Sequence, residues 1–169
     1  MLDPIIIGQA DGPTSLFLAG KLGGGWINIF GLCMVIAILI PNIIYAVKFR
    51  DGQNKCTNKG MNIIEQIGRY ACMILLVLNI GKEEFGFFSP DIFVVHLVGN
   101  ILLLLVYWVM WMLYFVKQAG WKSMVLATVP VVIFLLNGIT LQHVPLVIAA
   151  VVFGVGHIYV TWQNTKSMV

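Results

Sequence analysis

Charge is scarce in this chain. Of its 169 residues, only 10% are Asp, Glu, Lys or Arg, where soluble domains carry roughly 25%. A soluble domain this short has too little interior to hide a sequence that is 60% hydrophobic, because small domains bury the smaller share of their surface. That shortage excludes an ordinary aqueous fold and points to lipid as the solvent. Cysteine is scarce too: Cys33, Cys56 and Cys72 show no CxxC or paired spacing, which argues against a disulfide framework or a zinc site. They read as small apolar residues. The net charge of +3 is small and sits mainly in short connections, which suits membrane orientation and not nucleic-acid binding. No GxSxG, HExxH or paired-carboxylate pattern is present, so the sequence makes no positive case for an enzyme. Ala19-Gly-Lys-Leu22 is no P-loop, because Ser15 stands where that pattern needs Gly and Leu22 where it needs Ser or Thr.

What the chain has in abundance is long apolar runs. In lipid the backbone must satisfy its own hydrogen bonds, so spanning segments are helices or closed barrels. Barrel strands alternate apolar and polar residues, whereas these runs are apolar on all sides. The expected fold is therefore an all-α integral membrane bundle of about five transmembrane helices. The spans are expected at about 26–47, 61–80, 92–116, 123–141 and 144–162, within a membrane domain of 26–169. The first, with about 22 residues at a rise of 1.5 Å, reaches roughly 33 Å and crosses a ~30 Å hydrocarbon core. Pro41-Asn42 is expected to kink it near its end.

Lys and Arg set the expected orientation. Residues 48–59 hold Lys48, Arg50, Lys55 and Lys59; the turn at 117–122 holds Lys117 and Lys122; the tail holds Lys166. Five alternating spans put all of these on one side, with Lys82, Glu83, Glu84 and Asp91, and also Lys21, on the other. The C-terminus is expected in the cytoplasm, in a plasma-membrane protein, with Tyr107–Tyr114, Trp121, Tyr159 and Trp162 as an aromatic belt. Residues 1–22 lack the basic start of a secretory signal and contain Asp3 and Asp11.

Residues 1–25 form a separate element. Two short apolar arms flank Asp11-Gly-Pro-Thr-Ser15, where Gly and Pro interrupt a helix and Asp, Thr and Ser supply oxygen ligands. Asp11 suits a helix cap and Pro13 the first turn after it. The reading is a short broken segment, re-entrant or interfacial, of the kind that suits Na⁺ or H⁺; as an anchor it would only cap the bundle. Gly8-Gln-Ala-Asp-Gly-Pro-Thr-Ser-Leu-Phe-Leu-Ala-Gly-Lys-Leu22 resembles the signature of the β subunit of sodium-translocating carboxylic-acid decarboxylases, whose matching Asp is implicated in sodium coupling. The resemblance implies that Asp11 is an ion-linked carboxylate, with Thr14 and Ser15 as oxygen ligands for Na⁺. From about Trp26 onward the chain resembles small uncharacterised bacterial multi-pass membrane proteins, through Ile40-Pro-Asn-Ile-Ile-Tyr45 and Glu65-Gln-Ile-Gly-Arg-Tyr70. That group brings no activity with it.

Inside the spans, ionisable residues cost ~2.5–3.5 kcal/mol each on insertion scales, so each needs a partner. Glu65 and Arg69 stand i,i+4 and are expected to pair on one face, continued by Cys72, Leu76 and Asn79, with Asn62 one turn earlier. His96 and Asn100 are likewise i,i+4, on a face continued by Tyr107, Trp111 and Tyr114. These four, Glu65, Arg69, His96 and Asn100, are the candidate polar centre. Asn42, Asn137 and His157 are candidates for interhelical hydrogen bonds, and His143 is expected to be solvated in a turn. Three functions fit: an ion- or solute-translocation component, sodium-linked if the resemblance holds; a non-catalytic assembly partner of a larger membrane complex; and a membrane enzyme acting on lipid through Arg69 or His157. The expected partners are the bilayer and either another membrane protein or a second copy. No cofactor beyond Na⁺ is expected.

Overall fold

The structure is a computed structural model and describes residues 26–49, 56–78, 80, 87 and 89–166. The Asp11, Thr14 and Ser15 segment lies outside these residues, as does most of the polar connection after the first span. The described chain folds into five helices: α1 (Ile29–Lys48), α2 (Lys59–Val77), α3 (Pro90–Val116), α4 (Gly120–Thr140) and α5 (Val144–Lys166). The fold is the expected all-α membrane bundle.

Local chemistry sets where the helices start. Asn28 accepts from the Gly31 N–H at 3.0 Å, Asn58 from Met61 at 3.2 Å and Ser89 from Ile92 at 3.3 Å. Each short side chain satisfies an orphan donor of a first turn, and Pro90 fills the first position of α3, where no N–H is needed. The α4–α5 turn is closed by the His143 N–H on the Gly138 carbonyl at 2.7 Å, with Gln142 in the left-handed region at φ 53°.

Successive helices run antiparallel. The Asn28 N–H bonds the Val77 carbonyl at 2.7 Å, and Ile27 bridges Leu78, so the start of α1 meets the end of α2. His96 near the start of α3 meets Thr140 at the end of α4, and Gly120 at the start of α4 faces Thr165 at the end of α5. Among the described residues, this order gathers Lys48, Lys59, Lys117, Lys122 and Lys166 at one end of the bundle and leaves Asp91 at the other.

Helices α1, α3, α4 and α5 are long and apolar enough to cross a membrane. The second helix is the exception, because Lys59, Glu65 and Arg69 lower its apolar character. It is also shorter than the expected span, ending at Val77 where Leu78 turns extended. The core lies around α4, whose buried residues include Leu126, Ile133, Phe134 and Asn137. Ile36, Ile43 and Val47 of α1 and Leu102, Leu105, Val109 and Met112 of α3 point outward, the surface that lipid covers.

Candidate functional site: a polar centre between α2, α5 and their neighbours

The buried face of α2 consists of Glu65, Gly68, Cys72 and Leu76. Two glycines bring this face onto α5. A Cβ on Gly68 would sit 2.7 Å from the Phe153 backbone, and one on Gly156 would sit 2.7 Å from the Glu65 backbone nitrogen. Small residues at such crossings let helix backbones approach in a membrane. The approach carries the next residue of α5, His157, up to the carboxylate of Glu65.

Glu65 is only 6% exposed. Its Oε1 takes two partners: the Arg69 guanidinium one turn along α2, and His157 Nδ1 at 3.0 Å. With Glu65 ionised against Arg69, the imidazole donates through Nδ1–H, which leaves Nε2 as an acceptor. The ring lies stacked on Phe153, centroids 4.7 Å apart and 19° from parallel. A buried carboxylate is tolerated when it is paired and hydrogen-bonded, and here it is both.

Arg69 extends beyond this pair. Its side chain is 41% exposed, and it forms part of the wall of a cavity of about 70 Å³ to which all five helices contribute. Asn42 comes from α1, Arg69 from α2, Tyr107 from α3, Pro130 and Phe134 from α4, and His157 from α5. The Asn42 amide donates to the Tyr107 hydroxyl and to the Ile38 carbonyl, both at 2.7 Å. Tyr107 is an acceptor in that bond, so its own O–H remains a donor. The volume exceeds the ~10–15 Å³ that one water requires. A larger hollow of about 560 Å³ opens on the surface over Val131, Val155 and Trp162; its wall is apolar and presents no charge to a ligand.

A second polar group sits toward the Asp91 end. His96 Nδ1 is 2.7 Å from the Thr140 hydroxyl, the Asn100 amide donates to the His96 carbonyl at 2.7 Å, and the Asn137 amide donates to Asn100 Oδ1 at 2.7 Å. All four side chains are buried. The four polar-centre candidates thus divide into two groups: Glu65 and Arg69 in one, His96 and Asn100 in the other. Phe134 and Phe153, edge to face at 5.9 Å, belong to the levels between them. His143 is 1% exposed, not solvated, and its Nε2 lies 2.7 Å from the Ile80 carbonyl. The α4–α5 turn folds beneath the end of α2 and encloses the ring.

Sequence reasoning had Glu65 and Arg69 together but gave His157 no tie to them, and did not pair Asn42 with Tyr107. The sequence signal for the first contact is Gly156, the small residue next to His157 that meets the Glu65 backbone. Compared with protein-family models, with curated proteins and with solved structures, the chain matches none.

Proposed function

We propose that this membrane protein takes part in ion or solute translocation, with Glu65, Arg69 and His157 as its ion-linked centre. One observation carries the reading: a polar cavity walled by all five helices, holding a cation and an imidazole on one side and a tyrosine hydroxyl on another. Ionisable groups inside a membrane bundle are costly and mark ion or substrate pathways. The two polar groups at different levels, with Phe134 and Phe153 between them, supply waypoints separated by an apolar barrier. The lysine-bearing end is assigned to the cytoplasm by the positive-inside rule, in a plasma membrane. Sodium linkage at Asp11 is proposed on the resemblance of residues 8–22 alone.

The test is reconstitution of the full chain in liposomes, with flux measured for protons, sodium and a panel of small anions and neutral solutes. Flux that falls at least tenfold in both Glu65→Gln and Arg69→Gln supports the reading. Absence of flux for every member of the panel sinks it.

A further inference from the structure

We infer that the five-helix cavity binds a small monovalent carboxylate on the Arg69 guanidinium, together with one proton on His157. This deepens the translocation reading and rests on it for its biological use, though the binding itself is independently measurable.

The argument is one of charge balance. Glu65 Oε1 is shared by two cationic or potentially cationic groups, Arg69 and His157. With His157 neutral, Glu65 and Arg69 sum to zero, and an anion entering the cavity would leave a net negative charge inside the bundle. That is costly in a medium of low dielectric. With His157 protonated, the three groups sum to +1. The imidazolium then holds the Glu65 carboxylate, Arg69 is free to turn to the cavity, and one anion restores neutrality. Imidazole is the side chain that makes this change between pH 5 and 8.

Geometry supports the same ligand. Among the described residues, Glu65 is the hydrogen-bond partner of Arg69, and only through one terminal nitrogen; a guanidinium has five N–H donors in a planar fork. That fork matches a carboxylate in bidentate fashion. The Tyr107 O–H is a further donor at the cavity wall. Among the described residues, few titratable groups face His157 and the cavity beside it. The second helix brings Glu65, Arg69 and the buried thiol of Cys72, and α3 brings Tyr107. From α4 come only Leu126, Pro130 and Phe134, and from α1 the uncharged Asn42. A soluble anion fits better than a lipid headgroup because the cavity is small, at about 70 Å³, and lies among all five helices.

The experiment is calorimetric titration of sodium formate into the full chain in zwitterionic nanodiscs, at pH 5.5 and 7.5, in buffers of different ionisation enthalpy. Formate is expected to bind at least tenfold more tightly at pH 5.5 than at pH 7.5, with proton uptake accompanying binding at the higher pH. The decisive variant is Glu65→Gln. It removes the negative charge, leaves Arg69 unbalanced, and is expected to bind formate at pH 7.5 at least tenfold more tightly than the wild type, with no proton uptake. His157→Gln is expected to bind formate at both pH values no better than the wild type does at pH 7.5, Arg69→Lys to bind more weakly than the wild type, and Arg69→Gln not at all. Near-isosteric Glu65→Gln keeps the test valid if Arg69→Gln fails to fold. Formate binding lost in wild type at both pH values, or lost in folded Glu65→Gln, overturns the inference. Weakened formate binding in phosphatidylglycerol nanodiscs would assign the site to a lipid headgroup and overturn the soluble ligand. Sodium or neutral-solute flux that persists without formate binding leaves the translocation reading standing.

Discussion

The indole N–H of Trp108, on α3, donates to the Ala37 carbonyl of α1 at 3.1 Å. That carbonyl is the one left without a helical donor by Pro41, four residues on, because proline has no N–H. The break in α1 is therefore mended from a neighbouring helix, as backbone groups in lipid require.

Trp108→Phe is expected to destabilise the bundle by about 1 kcal/mol, since an interhelical hydrogen bond in a membrane protein is worth roughly 0.6–2 kcal/mol. Pro41→Ala restores the internal donor and should reduce that penalty. A double-mutant cycle followed by denaturant unfolding in detergent measures the coupling. Additive effects would refute the repair.

The α2–α5 crossing depends on two hydrogen atoms. Gly68→Ala and Gly156→Ala each place a methyl 2.7 Å from backbone of the opposing helix, an overpacking expected to cost about 1–3 kcal/mol. Gly60→Ala is the control: its Cβ meets nothing nearer than Asn58 Oδ1 at 3.4 Å, and the helix gains up to about 1 kcal/mol of propensity. Thermal unfolding of the three variants checks the order. A Gly156→Ala protein as stable as Gly60→Ala would contradict the close approach.

In the second polar group, Asn100→Ala removes the acceptor of the Asn137 amide, which keeps the Ile133 carbonyl at 2.7 Å. A loss of about 1–2 kcal/mol is expected from the buried donor left with fewer partners. Anion binding at Arg69 should be unchanged, because the two groups occupy different levels. Unfolding and formate titration of the same variant measure both.

Asp11 lies outside the described residues and is tested directly. If it is a sodium ligand, sodium raises the melting temperature of the wild type at constant ionic strength, with choline as the balancing cation, and does not do so in Asp11→Asn. At a sodium concentration a hundred times the dissociation constant, linkage gives about 2.7 kcal/mol. A sodium-independent melting temperature in the wild type ends the Asp11 proposal.

How much of this the sequence carried depends on the range of each contact. Helix type and number follow from apolar runs, and the buried face of α3 is visible as His96, Asn100, Tyr107, Trp111 and Tyr114, spaced three, four or seven residues apart. Glu65 with Arg69 is a contact within one turn and needs no tertiary knowledge. His157 meets Glu65 across 92 residues, and Asn42 meets Tyr107 across 65. Those contacts depend on which glycine lies beneath which backbone, and periodicity carries no such information. His143 was misread because a residue in a connection usually faces water, whereas this turn folds under the end of α2.

The reversal of direction at every connection has a consequence for partners. Among the described residues, five helices that reverse at each connection bring Trp26 and Lys166 out at opposite ends of the bundle. A protein that grips the chain at Trp26 and one that grips it at Lys166 would approach from opposite ends, so neither could displace the other by direct competition.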